Sequence, residues 1–127
     1  MNLAVAPRPS PRRPLTALIV AFALALGACI APTLPVPPPS QPDVTAPDSQ
    51  GLVTVRGGRD AATPGALVTV FNSSDPCTGT CGDSVRGDFA DAIGAYEIKI
   101  PGKVGDRLLV WQTVGKDTSN SVEAIVR

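Results

Sequence analysis

Histidine is absent from the chain. That removes the commonest general base at neutral pH and the commonest nitrogen ligand for zinc or copper. No G-x-S-x-G elbow, phosphate-cradling glycine loop or lone activated cysteine is present either, so an enzyme has little to work with, and a non-catalytic protein is expected. Basic clusters are missing beyond the first thirteen residues. Arg8, Arg12 and Arg13 precede an apolar run, and every acidic residue follows it. Beyond residue 28 eight basic residues face eleven acidic ones, a net charge of −3 that argues against a nucleic-acid partner. No apolar run reaches the roughly 20 residues of a membrane-spanning helix. With 127 residues, there is room for one domain.

The longest greasy stretch is Leu15 to Leu26, in which only Thr16 is polar. Twelve residues suit a signal-peptide core, and the arginines before it have the orientation of a segment whose start stays in the cytoplasm. The run ends in Leu26-Gly27-Ala28-Cys29. This resembles the lipobox of bacterial lipoproteins. The resemblance implies a signal peptide over 1–28, cleavage before Cys29, and covalent lipid on Cys29 as the only attached group, with no cofactor. Two or three acyl chains give stable membrane anchoring where one gives marginal attachment. The competing reading is an uncleaved span running to about Ala31, where Pro32 stops it. Ile30 and Ala31 follow the lipid site in place of an aspartate that retains such proteins at the inner membrane, which favours the outer membrane. Either way the rest of the protein lies at the cell envelope.

Seven prolines fall between Ala31 and Asp48, three of them consecutive at Pro37, Pro38 and Pro39. Each removes an amide donor and fixes φ, so residues 29–50 are expected to form a disordered or polyproline-type linker. Eighteen such residues reach about 55 Å at roughly 3.1 Å each.

From Gly51 the pattern alternates. In "ALVTVFN" Ala66, Val68 and Val70 share one face, and Leu67, Thr69 and Phe71 the other. Tyr96, Ile98 and Ile100 align in "AYEIKI", as do Val122, Ala124 and Val126 near the end. Turn residues separate these segments every eight to twelve positions, which predicts an all-β sandwich of six or seven strands over 51–127. The segments Val53 to Gly57, Ala62 to Val70, Gly94 to Pro101 and Gly105 to Val110 resemble bacterial Ig-like and carboxypeptidase-regulatory-like domains of the prealbumin-like group. That resemblance implies a non-catalytic module for spacing, adhesion or accessory binding to an envelope protein or glycan.

Between the second and third of these strands, "NSSDPCTGTCGDSVRG" is longer than a hairpin needs. A long loop on a rigid scaffold is a place for binding. The alternative function is therefore an accessory or inhibitor-type domain that inserts the Asp75–Asp88 loop into an envelope enzyme. If Cys29 carries lipid, Cys77 and Cys81 are left as a pair, expected as a structural disulfide, with free or regulatory thiols the alternative. Export puts them in an oxidising compartment, and Thr78-Gly79-Thr80 can close the turn. The chain-entropy model gives such a bridge roughly 2 kcal/mol. C-x-x-x-C with no second pair is poor for a metal, and no metal site is expected. Asp75, Asp83, Asp88 and Asp91 supply oxygens but lack the spacing of a calcium loop, so solvated acids are expected over calcium ligands. Arg86-Gly87-Asp88 matches an adhesion tripeptide by chance length alone. Trp111 lies in a segment apolar on both faces. Core packing is its default placement, whereas exposure would mark it as a contact for protein or carbohydrate.

Overall fold

A computed structural model of the chain describes residues 34–75 and 83–127. The lipobox residues Leu26, Gly27, Ala28 and Cys29 and the pair Cys77 and Cys81 lie outside the described residues. Among the described residues eight strands follow one another: β1 (Asp43–Val44), β2 (Leu52–Gly57), β3 (Leu67–Asn72), β4 (Val85–Phe89), β5 (Tyr96–Pro101), β6 (Arg107–Val114), β7 (Asp117–Thr118) and β8 (Val122–Ile125). They build two antiparallel sheets, β1-β2-β5 and β4-β3-β6, with β7 and β8 both paired to β6. The described residues are all-β, without an α-helix, and the two sheets share one core as in a β-sandwich.

The period-two pattern decides which side chains enter that core. One sheet contributes Val53, Val55, Tyr96, Ile98 and Ile100, and the other Val68, Val70, Leu108 and Val110, all at most 5% exposed. Glu97 and Lys99 alternate outward. Each buried Val, Leu or Ile contributes roughly 1.5–3 kcal/mol relative to an exposed one. The chain reverses between β4 and β5 at Gly94, which has φ 75°. A side chain there would meet the carbonyl of Ala62 as well as the left-handed backbone. Gly57 is needed for a different reason: the Tyr96 ring occupies the place of any Cβ it would carry.

Two expectations are corrected. The chain groups with the sandwich from Pro35, not from residue 51, because the proline-rich segment is tied to it by buried rings and hydrogen bonds. Pro39 and Pro42 are buried, Ser40 N donates to Ala61 O (2.8 Å), and Thr45 N donates to Thr54 O (3.0 Å). Strand β1 forms on residues that lie between Pro42 and Pro47 and pairs Asp43 with Arg56 and Val44 with Val55. Proline is compatible with this because the segment lies at a sheet edge, where missing amide donors cost no ladder bonds. The second correction concerns the long loop, whose end is strand β4, from Val85 to Phe89.

Candidate functional site

The outer face of the five-stranded sheet is built by register. Val85, Phe71, Leu109 and Glu123 form one row across β4, β3, β6 and β8. Gly87, Thr69 and Trp111 form the next, and Phe89, Leu67, Thr113 and Thr118 the third. Ile125 lies beside Arg107 at one end. Most of these residues are apolar, and they face away from the core because their neighbours Val68, Val70, Leu108 and Val110 face into it. Phe89 is 68% exposed, Ile125 43% and Val85 39%, while Leu67, Phe71, Leu109 and Trp111 are half-buried.

Trp111 thus stands on the solvent side of β6, which overturns its expected core placement. In its row Trp111 lies next to Thr69, with Gly87 beyond it on β4, while Phe71 and Phe89 stand in the rows on either side. The polar groups of the face are Thr69, Thr113, Thr118, Arg107 and Glu123. Thr113 and Thr118 share a hydroxyl–hydroxyl contact of 3.2 Å, and Arg107 and Glu123 pair at 3.4 Å.

The core side of the same strand holds Gln112, 1% exposed. Its Oε1 accepts from Thr63 N (2.8 Å), and its Nε2 donates to Pro37 O (2.7 Å). A second buried amide, Asn72, closes another region. Its Nδ2 donates to Asp106 Oδ2 (2.8 Å) and Pro101 O (3.2 Å), and its Oδ1 accepts from Ser74 N (3.0 Å). Both satisfy the rule that buried polar groups find partners. The Tyr96 hydroxyl does not: it is buried without a hydrogen-bond partner among the described residues, and burial pushes its pKa up to about 12.

The acidic candidates are engaged locally and do not converge. Asp75 Oδ2 accepts from Ser84 Oγ (3.3 Å), and Asp83 Oδ1 accepts from Arg86 Nη2 (2.9 Å). Asp88 Oδ1 accepts from the amide of Phe89 (2.8 Å), and Asp91 Oδ1 accepts from Ile93 N and Ala95 N, both at 2.9 Å. Among the described residues no three His, Cys, Asp or Glu side chains gather as a metal site would need. Arg86, Gly87 and Asp88 lie within an extended strand paired to β3. Asp48 caps the turn before β2. Its Oδ1 accepts from Gln50 N (2.8 Å) and Leu52 N (3.0 Å), and these backbone donors, Leu52 first, hold its carboxyl below the usual range.

The apolar face could be found in the sequence only in part. Leu67, Thr69 and Phe71 were legible as the face opposite Val68 and Val70. Val85 and Phe89 alternate about Gly87, a period too short and too polar to stand out. Comparison with protein-family models gives no match, and comparison with curated proteins gives none.

Proposed function

We propose that the chain is a lipid-anchored protein of the bacterial cell envelope, displaying a non-catalytic sandwich of Ig-like or prealbumin-like type. It docks a protein partner on the outer face of the β4-β3-β6 sheet. One observation carries this reading: Trp111 lies on a solvent-facing sheet surface among Leu67, Phe71, Val85, Phe89 and Leu109. A contiguous exposed apolar patch is a mark of an interaction surface, and rigid aromatics concentrate binding energy. A protein partner is favoured over a glycan because the face is poor in groups for sugar hydroxyls. The threonines at 113 and 118 already contact one another, and the arginine at 107 already pairs with Glu123. Glycan hydroxyls pressed onto Leu67, Phe71 and Leu109 would lose water without compensation.

The anchor in this reading is short. With cleavage before Cys29, residues 29–34 precede the domain, and six extended residues span at most about 20 Å. The domain is therefore held near the bilayer, where a membrane-protein partner is within reach.

Two experiments test the reading separately. Intact mass of membrane-extracted protein should correspond to a chain beginning at an acylated Cys29; a mass retaining residues 1–28 contradicts the anchor. Affinity capture from envelope extract should retain a specific protein with the native chain and lose it with Trp111→Ala and Phe89→Ser. Equal capture by both contradicts the docking face.

A further inference from the structure

Among the described residues strand β4 is outermost in its sheet and bonds β3 on one side. Asn72 N donates to Ser84 O and Ala90 N to Ala66 O, each at 2.9 Å. By the two-residue repeat of an antiparallel ladder, residues 84, 86, 88 and 90 address β3. The amides and carbonyls of Val85, Gly87 and Phe89 therefore point away from β3, and all three residues are exposed. Two of these outward groups are held by side chains of the strand itself. Arg86 Nη1 donates to Val85 O (3.3 Å), and Asp88 Oδ1 accepts from Phe89 N (2.8 Å).

The strand reads Val85-Arg86-Gly87-Asp88-Phe89 and complements itself when reversed. We propose that β4 pairs antiparallel with β4 of a second copy of this chain, about a two-fold axis at Gly87. The two five-stranded sheets then join into one. In this register Gly87 faces Gly87 and Val85 faces Phe89, and each pair exchanges its outward backbone bonds once Arg86 releases Val85 O and Asp88 releases Phe89 N. Arg86 then faces Asp88 of the other copy in a non-hydrogen-bonded pair, the position at which cross-strand side chains come closest. Within one copy Arg86 pairs with Asp83, and across the joined strands its charge also faces Asp88 of the second copy.

Charge selects this register over its neighbours. Sliding the pairing one step either way, while keeping the outward groups bonded, puts Arg86 opposite Arg86 or Asp88 opposite Asp88, and like charges directly opposite destabilise a ladder. Edges are kept from pairing by charge, most often lysine, by proline, by a bulge or by a covering loop. Strand β4 carries charge but no lysine, proline or bulge: it is regularly paired to β3, and its two charges are of opposite sign and equidistant from a glycine, so a reversed copy matches them. A second copy matches both the charges and the apolar residues, in the isologous manner of a two-fold dimer. The dimer uses the edge of the sheet and the docking reading its outer face, although Val85 and Phe89 border both.

The test is sedimentation equilibrium of the full chain in density-matched detergent, with Arg86→Asp, Asp88→Arg and the two combined. The native chain should dimerise. Each single change places like charges opposite twice per dimer and should raise the dimer Kd at least about tenfold. The double exchange restores opposite charges and should return the Kd to within about threefold of native. Circular dichroism on every variant identifies any that misfold. A native chain that stays monomeric overturns the proposal without recourse to variants. Folded single variants that dimerise like native, or a folded double variant that fails to recover, also overturn it.

Discussion

Gln112 Nε2 donates to the carbonyl of Pro37 at 2.7 Å, across 75 residues of sequence. With Thr63 N on its Oε1 (2.8 Å), this one buried amide joins the proline segment, the β2–β3 connection and β6. The proline segment is thereby a structural part of the sandwich.

A fragment beginning at Gly51 should accordingly be less stable than one beginning at Pro35, having lost β1, the buried Pro39 and Pro42, and the partner of Gln112. Gln112→Ala in the full chain should cost about 2–4 kcal/mol, by leaving a buried donor and acceptor unpaired and opening a cavity. Urea unfolding of the two fragments and of the variant measures both effects. Equal stability of the fragments would mean that the proline segment contributes nothing.

Tyr96→Phe should be neutral or stabilising, by up to about 1–3 kcal/mol, because the hydroxyl it removes is buried without a partner among the described residues. The same residue sets an alkaline limit. Its folded pKa of about 12 lies above the unfolded value near 10, so the native state holds the proton more tightly. Between those values the unfolded chain binds fewer protons, and stability falls as pH rises. The native chain should lose on the order of 2 kcal/mol more than Tyr96→Phe between pH 10 and 12. Denaturant unfolding of both at several alkaline pH values reads the difference, and parallel profiles would contradict it.

How far this fold is legible in sequence depends on the strand. Leu52–Gly57 and Tyr96–Pro101 alternate so regularly that their buried faces follow directly. Strand β6 has no such phase, since Leu108, Leu109, Val110 and Trp111 are apolar in succession. The one polar residue near its middle, Gln112, faces inward, opposite to what hydropathy indicates; its partners Thr63 and Pro37 are 49 and 75 residues away. The placement of Trp111 follows from that inversion. The docking of Pro35–Asp48 was hidden for a related reason. Proline content reports the donors a segment lacks, whereas this segment is held by its carbonyls, its buried rings and the few amides between prolines.

Gly94→Ala should destabilise by about 1–3 kcal/mol, since it combines left-handed backbone with a collision against Ala62 O. Gly58→Ala serves as a control: its Cβ would meet nothing within 4 Å and its φ is not positive. Thermal unfolding should separate the two, and similar melting temperatures would contradict the assigned role of the turn.

Polar contacts should divide by burial. Asn72→Ala removes a buried amide bonded to Asp106, Pro101 and Ser74 and should cost about 2–3 kcal/mol. Glu97→Gln weakens the exposed ion pair with Arg56 (2.7 Å) and should cost less than about 1 kcal/mol. Chemical denaturation of the two variants side by side tests the ranking, and the reverse order would contradict it.

The most direct test of the docking face is photo-crosslinking in intact cells, with a photoreactive residue placed at Trp111 on the five-stranded sheet and, separately, at Thr54 on the outer side of the other sheet. A discrete adduct with a second envelope protein from position 111, and none from position 54, is the predicted result. No adduct from position 111, or the same adducts from both positions, would contradict the assignment of the apolar face as the surface that this protein presents to its partner.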